Sequence, residues 1–337
     1  MSDALSWTTA SKEFGTVDAK DDLYRTHADS DLDSQVTETY YWTFFNAEAN
    51  LHGYVYFMMR PNLRVGTCGV FAHIGSKRDY LAAEYFDFRT YMSDAFVDAQ
   101  GNILTSTGLR IDFIDPMKKM RIRYVDKSRA FELDMLQDAV HPPMVRANGK
   151  HFEQTMRVTG SVVLDGVSYS LNHFAIRDRS WGERRPESGR IGPPYTWMTG
   201  VHSENLAFTI GAFDDPERNP NWRHLYSVDR SELVRDAWIW DRGQQLRFAR
   251  ISKITERDAD GITPARNIID CETSAGSRYR FVGQITANLP WKTWQNAMCH
   301  VGLTRWTSPQ FDGEFLGITA EVQWNHYISK VCVPVTS

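Results

Sequence analysis

Tyr41-Trp42-Thr43-Phe44-Phe45-Asn46, then a short polar loop, then Leu51-His52-Gly53-Tyr54-Val55-Tyr56-Phe57-Met58-Met59 is the stretch on which the fold turns. Two runs of aromatic and β-branched residues separated by a few polar positions predict an antiparallel hairpin. Arg60-Pro61-Asn62 ends it, because proline cannot donate to the ladder. Working outward, similar runs at residues 66–74, 83–90, 108–113, 120–124 and 130–136 are each bounded by Gly, Asp, Pro or Lys clusters. Short strands at such regular spacing predict a sandwich or barrel.

His141-Pro142-Pro143 interrupts this rhythm, since two consecutive prolines continue neither a helix nor a central strand. The pattern resumes at 154–163, turns at Asp165-Gly166, a strong hairpin dipeptide, and continues at 168–176. Further strands are expected at 195–202, 206–213, 237–241, 246–254, 267–271, 279–287, 298–306 and 313–324. Only 76–83 and 323–329 suggest short helical turns. The fold class is therefore all-β, in two consecutive modules: a polar, partly ordered lead-in over 1–39, an N-terminal module over 40–152 and a C-terminal module over 153–337.

The chain has 337 residues and a formal net charge of −4, from 38 basic and 42 acidic side chains. That balance gives no electrostatic footprint for nucleic acid or for an anionic membrane surface. No window approaches the length of a membrane-crossing helix, and the N-terminus lacks a basic and then apolar leader, so the expectation is a cytoplasmic protein without stable membrane insertion. A homodimer is compatible with everything in the sequence. Cys68, Cys271, Cys299 and Cys332 have no short spacing that would make a zinc or redox pair. Phosphate-binding glycine loops, G-x-S-x-G and H-E-x-x-H are absent, so nucleotide, serine-hydrolase and zincin chemistry have no support, and neither a cofactor nor a metal is expected. The 11 Trp, 14 Tyr and 18 Phe suit the walls of an apolar ligand site as well as a β core.

One segment concentrates charge beside a tryptophan: Arg177-Asp178-Arg179-Ser180-Trp181-Gly182-Glu183-Arg184, followed by Arg185, Glu187 and Arg190. It reads as a strand feeding a charge-dense turn. In extended chain, His173, Ala175, Arg177, Arg179 and Trp181 share one face, and Phe174, Ile176, Asp178 and Ser180 the other. Asp178 thus stands among apolar neighbours, where a carboxyl group is either paired with arginine or desolvated toward the range of a general acid. The plainer alternative is a salt-bridge knot between modules, with Trp181 packed on a guanidinium.

This run resembles the signature of the two-domain lipocalin-like family that includes carotenoid 1,2-hydratases (hydroxyneurosporene synthases), AttH-like proteins and related Diels–Alderases. In the hydratase branch the run reads His-Asp-His-Asn-Trp-Gly, so Asp178, Trp181 and Gly182 match, while Arg177 and Arg179 stand where histidines do. Arginine stays protonated near pH 7, so those two positions bind or position a substrate. The resemblance implies two lipocalin-like β modules, an apolar cavity between them, and acid catalysis without a cofactor.

Hydrating a terpenoid-like alkene, or dehydrating the corresponding alcohol, passes through a carbocation, which needs a proton donor, placed water and aromatic faces. Asp178 is the expected donor, with Trp181, Arg179 and Asp215 in the catalytic group and Asp214 an alternative to Asp215. Arg177, His173, Tyr195, Trp197, Trp238 and Trp240 are the expected substrate-binding set. The function so implied is a cofactor-independent lyase or isomerase (alkene hydration, dehydration or cyclisation) acting on a hydrophobic small molecule. The alternatives are a non-catalytic lipocalin-type carrier of an apolar metabolite and a pericyclic cyclase.

Overall fold

The computed structural model describes residues 8–9, 13–24, 34–184, 192–218, 226, 228–292 and 296–332. Arg185, Glu187 and Arg190 of the expected charged turn lie outside them. The chain divides into two compact units, Phe14–Pro186 and Met1–Glu13 with Glu187–Ser337. Both are lipocalin-like β modules, as the family resemblance implied.

The N-terminal unit is one twelve-stranded sheet. Along it lie Tyr85–Ser93, Val65–Ile74, Leu51–Arg60, Val36–Asn46, Val167–Arg184, His151–Leu164, Phe131–Ala139, Lys119–Asp126 and Arg110–Asp115, ending in two-residue strands. The hairpin expected over 41–59 forms, pairing Tyr41 with Tyr56 and Phe45 with His52. Its alternation is what builds the core: Tyr40, Trp42, Phe44, Val55, Phe57 and Met59 turn to one side, joining Val70, Ile111, Ile122, Leu133 and Val158. Tyr41, Thr43, His52, Tyr54 and Tyr56 turn to the other.

The expected boundary near residue 152 is corrected to one after Pro186. Strand Val167–Arg184 pairs with His151–Leu164 on one side and Val36–Asn46 on the other, so the arginine-rich segment belongs to the N-terminal unit. It is also strand rather than turn. The lead-in is corrected in part as well. A 3-10 turn at Ala19–Asp22 puts Asp22 wholly out of solvent, and Tyr24 packs into the core.

In the C-terminal unit, eight strands from Tyr195–Ser203 to Phe311–Trp324 close into a barrel, the ring completed by Gln244–Arg257 against Pro264–Thr273. Thr8–Thr9 adds an edge to it. One half of the interior is apolar, with Phe208, Ile210, Ile239, Phe248, Phe281, Trp306 and Phe315. The other half is an ion network. Asp214 bridges Lys253 at 2.7 Å and Arg257 at 2.8 Å, and Arg257 also holds Glu321 at 2.8 Å. Charges this deep are tolerable only when paired and hydrogen-bonded. The helical turn expected at 323–329 is the helix Asn325–Cys332, and that at 76–83 is a 3-10 turn at Tyr80–Ala82. No helix among the described residues is long and apolar enough to cross a membrane.

Candidate active site

The arginine-rich strand presents two different faces. Arg177 and Arg179, at 1% and 0% exposure, turn to the core side. Arg177 grips Asp22 with two bonds of 2.6 and 3.0 Å and Gln154 with two of 3.2 and 2.8 Å, over the Phe152 ring. Arg179 donates to Glu38 at 2.6 Å and to the carbonyls of Ser180 and Leu23. Its guanidinium lies 4.2 Å from the Tyr40 ring and 5.2 Å from Trp181. Burial alone would lower the Arg179 pKa, yet Tyr40 and Glu38 hold it above its ordinary value. Bidentate carboxylate pairing plus stacking is the geometry in which a buried guanidinium is stable.

These contacts tie Arg177 and Arg179, the expected substrate-positioning pair, to Asp22, Gln154 and Glu38 on the core side of the sheet, opposite the face that Asp178 presents. Trp181 packs with Val145 and Phe152 on the arginine face, so it is not a wall facing Asp178. Gly182 sits at φ +65° where the ladder slips between Trp181 and Glu183, a bulge that needs a left-handed residue. Glu183 pairs with Arg146 at 2.8 Å. Arg177 and Arg179 thus form ion pairs within one unit, with partners Asp22 and Glu38.

Asp178 turns to the opposite face. There the register gives an unbroken row across six strands: Glu153, Asp178, Tyr41, Tyr56, Gly69 and Phe88. Glu153 is 1% exposed and Asp178 partly buried. His151 Nε2 lies 3.6 Å from Glu153 Oε1. The Ser180 and Thr39 hydroxyls meet at 2.6 Å one row along. The aromatic side chains form a continuous floor: Tyr41 to Tyr54 at 4.7 Å, Tyr54 stacked on Phe71 at 4.9 Å, Phe71 on Phe86 at 5.8 Å, and Tyr56 on Phe88 at 6.3 Å. Gly69 is required where it stands, since a Cβ there would collide with the Asp87 carbonyl and the Phe88 ring. Glu153, Tyr41 and Tyr54 of this face were not singled out by the sequence reading.

The floor is bordered by a histidine row. Thr43 Oγ1 lies 3.1 Å from His52 Nε2, His52 Nδ1 lies 3.1 Å from His73 Nε2, and His73 Nδ1 lies 2.9 Å from the Gly75 carbonyl. That carbonyl only accepts, so His73 carries its hydrogen on Nδ1, and a neutral His73 accepts from His52 Nδ1–H. Burial lowers the His52 pKa well below its ordinary value and that of His73 to about 4, consistent with both rings being neutral. His173, expected to bind substrate, is a satisfied sheet histidine. Its Nε2 accepts from the Phe45 N–H at 3.1 Å, its Nδ1 meets the Phe174 carbonyl at 3.3 Å, and its ring stacks 3.7 Å from Phe45.

The remaining expected residues belong to the C-terminal unit. Tyr195 and Trp197, on Tyr195–Ser203, and Trp238 and Trp240, on Val234–Asp241, alternate with the barrel-core residues Met198, Ala237 and Ile239. They share the outer wall of the barrel, in rows such as Trp197–Gly211–Asp236 and Thr209–Trp238–Arg247. Asp236 and Arg247 form an ion pair in that wall. Asp215 accepts from the Glu217 N–H at 3.0 Å and precedes the 3-10 turn Pro216–Arg218, a capping geometry. Burial alone would raise the Asp214 carboxyl, but Arg257 and Lys253 hold it below the usual carboxylate range, which suits an ion-pair anchor and not a proton donor.

The fold is similar to that of CghA, at a TM-score of 0.61 and 10% identity over 95% of this chain and 98% of that one. A structure of CghA with Sch210972 matches at a TM-score of 0.58 and 9% identity, covering 86% and 89%. Kievitone hydratase from Nectria haematococca matches at 0.53 and 15% identity, covering 94% and 97%. At these identities the likeness is one of fold. No curated protein matches the chain in sequence. Residues 19–326 match the model of the family described as a domain of unknown function, DUF7064, and the chain belongs to that family.

Proposed function

We propose that this protein is a cofactor-independent lyase or isomerase that hydrates, dehydrates or cyclises an apolar, terpenoid-like or polyketide-derived small molecule by acid catalysis at Asp178. The observation that carries the reading is the row Glu153–Asp178–Tyr41–Tyr56, which sets two carboxyl groups beside an aromatic floor on one sheet face. A fold similar to that of kievitone hydratase is in keeping with it.

In the hydration direction the Asp178 carboxyl gives its proton to an alkene carbon. The π pair becomes the new C–H bond, and the adjacent carbon becomes a cation. The ring faces of Tyr41, Tyr54 and Tyr56 stabilise that charge by about 0.5–2 kcal/mol each. Water adds its lone pair to the cation, and the proton it releases passes to the Glu153 carboxylate. Return of that proton from Glu153 to Asp178, its cross-strand neighbour, restores the site. Dehydration follows the same steps in reverse.

The experiment is Asp178→Asn, which keeps the shape and hydrogen-bonding capacity of the side chain. Turnover is expected to vanish while folding and ligand affinity persist. A second reading, a carrier for an apolar metabolite, draws on the structural roles of Arg177, Arg179, Trp181 and Gly182, which explain the motif without chemistry. On that reading Asp178→Asn leaves affinity unchanged and the wild type turns over no ligand.

A further inference from the structure

The C-terminal barrel carries a groove that plays no part in the chemistry above. Its strands are joined by tight hairpins at 203–206, 242–243, 274–277 and 309–310, which the antiparallel order gathers at one end. A groove of ≈ 460 Å³ opens there. That is the size of an ordinary small-molecule site, roughly 300–1,000 Å³, and barrel mouths are common places for one. It cannot deepen into the barrel, because Phe248, Phe281 and Phe315 fill the interior beneath it.

The floor is apolar and rigid. The Tyr279 and Phe311 rings stack at 6.1 Å and 12°, with Leu206 beside them. The Tyr279 hydroxyl donates to Asp241 Oδ2 at 2.6 Å, tying two strands that are not neighbours in the barrel and fixing the plane of the ring. The rim carries two exposed arginines, each paired on one side with a carboxylate. Arg242 engages Asp241 with two bonds of 3.0 and 3.1 Å, and Arg278 engages Glu272 with one of 2.9 Å. Their side chains are 84% and 75% exposed. A guanidinium has five N–H donors, so each retains donors for a further acceptor at the groove's edge.

We propose that this groove binds an amphipathic organic carboxylate, with its flat apolar body on Tyr279 and Phe311 and its carboxylate between Arg242 and Arg278. A planar body matches the stacked floor, and a planar anion matches the guanidinium fork. The site is independent of Asp178.

The test is calorimetric titration of the full chain with 2-naphthoate and with its neutral counterpart, 2-naphthamide. The expected result is one binding event for naphthoate that Arg242→Gln with Arg278→Gln weakens about tenfold or more, with little change for the amide. Phe311→Ala weakens both ligands. Ser277→Trp, a change at an exposed turn lining the groove, blocks both without touching the core, and stands in should Phe311→Ala misfold. Asp178→Asn leaves both titrations unchanged. No heat at millimolar naphthoate, or binding indifferent to Ser277→Trp and to the arginine pair, overturns the proposal.

Discussion

Glu153 and Asp178 stand directly opposite each other on neighbouring antiparallel strands, with Tyr41 opposite Asp178 on its other side. Side chains opposed in this way are within reach of one another or of one shared water. On the proposed mechanism, the proton donor Asp178 and the base Glu153 that collects the proton from water therefore need no movement of the backbone. Glu153→Gln is expected to slow hydration by about 10²–10⁴-fold, the usual scale for losing a general base, while Asp178→Asn removes it. Steady-state turnover of the two variants checks this, and equal losses from Glu153→Gln and from a control at Arg157, an exposed position on the same strand, would argue against it.

Breaking the arginine knot is a stability experiment. Arg177→Ala and Arg179→Ala each leave a buried carboxylate, Asp22 or Glu38, without its ion-pair partner, at a cost of about 3–5 kcal/mol. Replacing both members of a pair, as in Arg177→Met with Asp22→Leu, recovers much of that loss, because no charge is then stranded. Denaturant midpoints of the single and double variants measure the difference.

Acid sensitivity follows from the histidines. Burial holds His73, His173 and His300 neutral down to about pH 4, and His52 is lowered in the same direction. In the unfolded chain they take up protons near pH 6.5. The unfolded state thus binds more protons between those values, and stability is complete above about pH 6.5 and falls as pH drops toward 4. Each histidine contributes a slope of about 1.4 kcal/mol per pH unit in that window. Carboxylates such as Asp214 add their own loss only at lower pH. Denaturation curves from pH 7.5 to 4.5 measure the slope, and His73→Gln is expected to reduce it.

In the barrel, Lys253→Met leaves Asp214 with Arg257 as its remaining cation, and Glu321→Leu removes an anion from that arginine. Both are expected to destabilise by several kcal/mol for the same reason as in the first unit. Thermal unfolding monitored by tryptophan fluorescence reads the loss, with Trp306 reporting from inside the barrel.

Most of the fold was legible in the sequence. Alternation and turn residues located the hairpin at 41–59 and nearly every strand of the barrel, because those strands bury one face and announce it with period two. The boundary and the site were harder. Strand Val167–Arg184 was expected to stop near Ile176, since beyond it arginine replaces aliphatic residues at the inward positions. Those arginines are acceptable inside only because Asp22 and Glu38 meet them, and these lie 155 and 141 residues away along the chain. No spacing rule reveals such partners. Asp22 itself lies in the stretch expected as a polar lead-in over 1–39. Asp178 stands out as a candidate by its face and by the motif, whereas Glu153 falls just outside the strand start expected at Gln154. Trp181, Arg177 and Arg179 were drawn into the site by their neighbourhood in sequence, although alternation already set them on the other side of the sheet from Asp178.

The central claim is that a proton passes from Asp178 to carbon. It is tested most directly by running the reaction on a panel of apolar alkenes in D₂O and determining the product by mass spectrometry and NMR. Acid-catalysed hydration or cyclisation places one non-exchangeable deuterium on carbon in the wild-type product and yields no product with Asp178→Asn. A product formed at undiminished rate with no deuterium on carbon, or formed equally by Asp178→Asn, would contradict the account.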